Sequence, residues 1–150
     1  MKPEQIEQHL YREGIVVADN KKRIFAYAID DILISSIFVI IFWNSIAAAS
    51  GMTQTLAIIN QAFFEIVIVK IVYHTFFIYQ YGATLGKIVM KVRVLEVHSL
   101  DNPTFMASLT RAIFRIVSEV IFYLGFILAF FDKNKQTLHD KVAKCVVVDA

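Results

Sequence analysis

The chain has 150 residues, 57% of them hydrophobic, and a mean hydropathy of +0.59. A soluble domain carries roughly 45–50% apolar residues, and here the excess falls in three long blocks, which excludes an ordinary soluble core and points to one integral membrane domain. A net charge of +2 gives no electrostatic case for nucleic-acid binding, and a single cysteine, Cys145, excludes an intramolecular disulfide and a cysteine-based zinc site.

Residues 1–23 read as a cytoplasmic N-terminal segment. Ile6, Leu10 and Tyr11 recur among polar residues between Glu4 and Arg12, the pattern of a short amphipathic helix suited to a membrane surface. Asp19-Asn20 is a helix-start signal, and the basic Lys21, Lys22 and Arg23 favour a cytoplasmic N-terminus. The membrane domain follows over residues 24–149. Its first apolar segment, about 24–49, is longer than the roughly 20 residues a span needs, so tilt is expected. Polar residues precede it and two aspartates interrupt it, so it reads as a retained helix rather than a cleaved signal. The second segment, about 56–79, returns the chain across the membrane after an uncharged hairpin.

Residues 80–104 change character. Gly82, Thr84, Gly86 and Lys87 form a glycine-bearing basic loop whose spacing is not that of a phosphate loop; a tight turn at the membrane surface is expected. Val92 to Val97 is short and β-branched, a strand signature. Thr104 can cap the third segment, about 105–131. A second strand is expected at 144–148, and Cys145 within it reads as a buried structural thiol. Two short strands need to pair and pack to be stable, and pairing puts them on one side of the membrane. The third segment is therefore expected to enter, break near Gly125 and return, which lipid tolerates only where protein or water covers the irregular backbone. The fold class is mainly α: a polytopic membrane protein with two transmembrane helices, a third broken or re-entrant helical segment, and a small cytoplasmic two-strand element.

The chemistry lies in charges placed at membrane depth, which are costly and normally paired. Arg23 and Asp30 stand seven residues apart, nearly on one helical face and about 10 Å apart along the axis. Asp31 points roughly 100° away from Asp30, toward a different neighbour. Segment two carries Glu65, about 10 Å deep, with Lys70 and His74 on its cytoplasmic half. Arg111, Arg115 and Glu119 line one face of segment three. Asp30, Asp31, Lys70, His74, Arg111 and Arg115 can meet in the inner leaflet as a register-fixing ion-pair network or as a protonatable relay. Adjacent His139-Asp140 is a poor metal pair and is expected in a hydrogen-bonded turn. No nucleophile elbow occurs, so no enzyme, cofactor or metal is expected.

These blocks together resemble the RDD family of small bacterial membrane proteins, named for one arginine and two aspartates. Arg23, Ala26 and Asp30 match its R-x-x-A-x-x-x-D opening. Gly82, Thr84, Gly86 and Lys87, followed by Arg93-Val94, are similar to its G-x-T-x-G-K…R-V loop. Arg111 supplies a basic position, and His139-Asp140 with Ala143 and Val147-Val148 is similar to its closing element, Asp140 matching the final aspartate. Lys144 and Cys145 depart from the small residues usual there, and residues 99–102 replace a glycine-bearing turn. The resemblance implies a multi-pass protein of the bacterial inner membrane, both termini cytoplasmic. Some members are described as sodium–proton antiporters and others as accessory proteins. Three helices cannot enclose a path, so partners beyond the lipid bilayer are expected, either further copies of the chain or a larger membrane complex.

Overall fold

A computed structural model describes residues 1–121 and 123–150. Helix α1 (Pro3–Arg12) begins with proline in its first turn, where the missing N–H costs nothing. Its apolar stripe does not face lipid: Ile6 and Leu10 are buried against Leu95, Val97, Val146 and Val148. Helix α2 (Asn20–Ala47) is 28 residues long, about 42 Å at 1.5 Å per residue. Only Ala26, Asp30 and Ile34 are buried along it. That spacing of four is one stripe, and the rest of the helix presents apolar side chains outward.

The second apolar segment divides. Helix α3 (Met52–Gln61) ends at Ala62, and helix α4 (Phe63–Tyr81) begins there. At 19 residues, α4 is about 28 Å long, close to the roughly 30 Å hydrocarbon core. Among the described residues, helices α2 and α4 are the two that are each long and apolar enough to cross a membrane. Gly82 closes α4 at φ +68°, the left-handed conformation that favours glycine at a helix C-terminus. Helix α5 (Leu85–Val89) and strand β1 (Val92–Glu96) complete the loop.

Helix α6 (Phe105–Val120) starts at Thr104, whose hydroxyl accepts from the Ala107 amide. Helix α7 (Leu124–Phe131) is bent by 105° from α6. The break falls between Val120 and Leu124, near Gly125 as expected, and Tyr123 takes the positive φ of +61°. Gly125 serves a different need. A Cβ there would lie 2.1 Å from Ser118 Oγ, so the glycine lets α7 fold tightly onto α6.

Helix α8 (Leu138–Val142) and strand β2 (Cys145–Asp149) follow. The strands pair antiparallel, Val94 opposite Val147 and Leu95 opposite Val146. Alternation gives the sheet two apolar faces. One packs on α1; the other buries Val92, Val94, Cys145 and Val147 with Ile78 and Ala18. Burial pushes the Cys145 thiol up to about 12, consistent with an inert structural residue. The sheet thus fastens the N-terminal helix, the loop after α4 and the C-terminal tail to one end of the helices.

Candidate functional site

Three charged knots join these elements. The first centres on Asp140, which is fully buried. Asp140 lies in the first turn of α8 and accepts the Thr137 backbone N–H at 3.1 Å, as an acidic residue near a helix start does. Arg111 of α6 donates to Oδ1 through Nε at 2.9 Å and also through its terminal nitrogen. Arg23, at the start of α2, donates to Oδ2 and to the Lys135 carbonyl. One carboxylate thus ties α2, α6 and α8 together. Burial opposes its ionisation, but the Arg111 and Arg23 guanidiniums outweigh that and hold it well below the usual carboxylate range. Beside it, His139 is buried with its ring 5.1 Å from that of Phe126. Burial, reinforced by Arg111 and Arg115 against the opposing pull of Asp140, holds His139 well below the usual imidazole range.

Asp30 forms the second knot and is also fully buried. Its Oδ1 accepts from the Tyr73 hydroxyl at 2.8 Å and the Gly86 amide at 2.8 Å, and its Oδ2 from Thr84 Oγ1 at 2.6 Å. Tyr73 in turn accepts the Leu85 amide at 3.2 Å. The aspartate of α2 therefore satisfies the opening turn of α5. This explains the glycine-threonine-glycine spacing of the loop. Thr84 must offer a hydroxyl, and Gly86 must come close, because a Cβ on it would lie 2.1 Å from the Ala26 carbonyl oxygen.

In the third knot Lys70 bridges two carboxylates, Asp31 Oδ1 at 2.9 Å and Glu119 Oε2 at 3.0 Å. Arg115 adds its Nε 3.5 Å from Glu119 Oε1, donates to the His74 ring, and lies 4.5 Å over the Tyr27 ring. A guanidinium has no acceptor, so the imidazole nitrogen it meets is the accepting one.

Of the six groups that spacing allows to meet, the structure brings Asp31, Lys70, His74 and Arg115 together, with Glu119 beside them; Asp30 sits in the second knot and Arg111 in the first. Arg23 and Asp30 share no contact and belong to different knots. A helical side chain leans toward the helix N-terminus, so Arg23 reaches away from Asp30 and meets Asp140. Because α4 begins only at Phe63, Glu65 stands in its first turn, exposed, where a carboxylate complements the helix dipole. Lys70 does not snorkel; it is held between two helices. Tyr73 escaped the sequence reading because a phenol in an apolar run looks like packing. Its only signal is that it sits one turn after Lys70, among the polar positions.

Arg23, Lys87, Arg111 and Arg115 converge on a cavity of about 280 Å³ beside the N-terminal end of α2. Lys87 of α5 is buried, and its ammonium has no hydrogen-bonding partner among the described residues. Burial first, then the nearby Arg111 and Arg115, pushes it down to about 7. No group of three histidine, cysteine or acidic side chains able to hold a metal occurs among the described residues.

A protein of Rickettsia prowazekii (strain Madrid E), described only as uncharacterized, is 32% identical over 76 residues. That match covers 51% of this chain and 42% of the relative's length. No solved structure matches the chain. The RDD family profile matches residues 17–144, from the strand-pairing segment before α2 to the lysine before β2, and so includes Arg23, Asp30 and Asp140. The two spanning helices and the extent of this match identify the chain as a small membrane protein that belongs to the RDD family.

Proposed function

We propose that this protein is a non-catalytic accessory or assembly subunit of the bacterial inner membrane, with both termini cytoplasmic, acting within a larger membrane-protein complex. One observation carries the reading: the carboxylates at depth are already committed. Asp30 receives three hydrogen bonds, and Asp31 and Glu119 share Lys70. A carrier carboxylate must release its partners to take up a proton or cation, and here each release breaks a helix–helix contact. The basic Lys21, Lys22 and Arg23, together with the sheet that pairs the loop after α4 with the C-terminal tail and the Val17–Val148 bridge beside it, support the cytoplasmic placement.

Cation/proton transport by an oligomer is the competing function. Its foothold is Asp31, whose side chain is 38% exposed beside Lys70. Purified protein in sealed vesicles with a preset pH gradient separates the two. Added Na⁺, K⁺ or Li⁺ is expected to leave the gradient intact, while Asp30→Asn/Asp31→Asn lowers the unfolding temperature. Cation-driven dissipation that the double variant abolishes while staying folded would establish transport instead.

A further inference from the structure

The cavity walled by Arg23, Lys87, Arg111 and Arg115 has an unbalanced charge. Four cationic side chains face it, and no carboxylate lines it. Arg23 and Arg111 share the single charge of Asp140, which offsets only one of the two. Arg115 shares Glu119 with Lys70. Lys87 has no partner for its ammonium among the described residues, although its side chain is more than nine-tenths buried. The Asp30 carboxylate offsets part of this charge, but it already accepts three hydrogen bonds, so the remaining imbalance favours a ligand that supplies negative charge. The depressed value of the Lys87 ammonium is the same imbalance seen from another side.

The rest of the wall is apolar. Phe126, Ile127 and Phe130 of the bent-back α7 close one side, and Ile24 of α2 closes another. At the mouth, Ile24 and Phe130 are more than half exposed. The cavity is slightly smaller than the roughly 300–1,000 Å³ of pockets that enclose whole small molecules. It has room for a headgroup, with apolar tails leaving over the rim. Arginine and lysine together are the usual recognition set for a phosphate, and basic pockets between membrane helices on the cytoplasmic side suit lipid headgroups.

We propose that this cavity binds the phosphate of an anionic membrane phospholipid, with Lys87 and Arg115 donating to its oxygens and its acyl chains lying along α7 and the first turns of α2. A free phosphate shares the recognition chemistry but leaves the apolar wall unused. The bound lipid completes the charge balance where α2, α5, α6 and α7 meet.

The test uses the full-length protein in detergent micelles, with phosphatidylglycerol, phosphatidylcholine and inorganic phosphate as separate probes. Retained lipid is counted by native mass spectrometry, and affinity is read from the rise in unfolding temperature. One phosphatidylglycerol is expected to remain bound and to stabilise the protein, while neither other probe does. Lys87→Gln weakens phosphatidylglycerol binding about tenfold, and Lys87→Arg retains it. Where Lys87→Gln does not fold, Phe130→Ala at the exposed rim serves, with an affinity loss of about fivefold. Equal retention of phosphatidylcholine, an equal response to inorganic phosphate, or unchanged affinity in these variants overturns the proposal.

Discussion

Asp140→Ala is expected to destabilise the protein by about 3–5 kcal/mol, the cost of leaving a buried ion-pair partner uncompensated. The effect is at the upper end because two guanidiniums, Arg111 and Arg23, lose the same carboxylate, and neither is solvated in the folded state. Asp140→Asn keeps one accepting oxygen and is expected to fall between the wild type and the alanine variant. Removing Arg111 as well, in Arg111→Met/Asp140→Leu, recovers only part of the loss, since Arg23 still lacks its acceptor. Thermal and denaturant unfolding in detergent measure all three. The pH dependence has a definite sign. Asp140 is held well below its ordinary value of 3.8, so its contribution is complete above that value and is lost as the pH falls through the lower, folded-state value. Wild type and Asp140→Ala should therefore differ most near neutrality and converge in strong acid.

Gly86→Ala is the second large effect. The added methyl meets the Ala26 carbonyl oxygen at 2.1 Å and the Asp30 carboxyl carbon at 2.9 Å. Backbone on one side and a buried, three-times hydrogen-bonded aspartate on the other leave no flexible atom to yield. Helix α5 must then move off α2. Overpacking of this kind costs about 1–3 kcal/mol, and the displaced helix also carries away the Gly86 and Thr84 donors to Asp30. The same measurement on Gly14→Ala provides a contrast. Gly14, unlike Gly86, has a positive φ, but a Cβ there meets nothing within 4 Å, so only the backbone strain of a left-handed alanine remains. A Gly86→Ala protein as stable as the Gly14→Ala protein would refute the close approach of α5 to α2.

Much of this arrangement was legible in the sequence because it depends on period and length. Three apolar blocks give the helices, and the 100° step between adjacent helical residues sends Asp30 and Asp31 to different partners. The return of the tail follows from two short β-branched runs that are poor structures until they pair. What sequence could not supply was set by tertiary contact. Seven residues on a helix put Arg23 and Asp30 on one face, but only the direction in which helical side chains lean sends Arg23 to a carboxylate 117 residues away. The break near Gly125 was legible, but not that Gly125 is also a contact residue whose missing Cβ matters to Ser118, while Tyr123 takes the positive φ. The division at Ala62 carried no proline or glycine to announce it, and it places Glu65 in the first turn of a helix. The amphipathic N-terminal helix was recognisable, but its buried side belongs to a sheet whose existence depends on the other end of the chain.

The central claim is that the third segment turns back, so that Asp140 and β2 return to the side of α5 and β1. Sidedness of labelling tests it directly. His98→Cys, Ala150→Cys and Met52→Cys each place a thiol at an exposed position, and native Cys145 is buried. With a membrane-impermeant maleimide on sealed vesicles of known orientation, His98→Cys and Ala150→Cys are expected to label from one face and Met52→Cys from the other. Labelling of Ala150→Cys from the Met52 face would mean that the segment crosses once. Neither the β1–β2 pairing nor the Arg23–Asp140–Arg111 knot could then form.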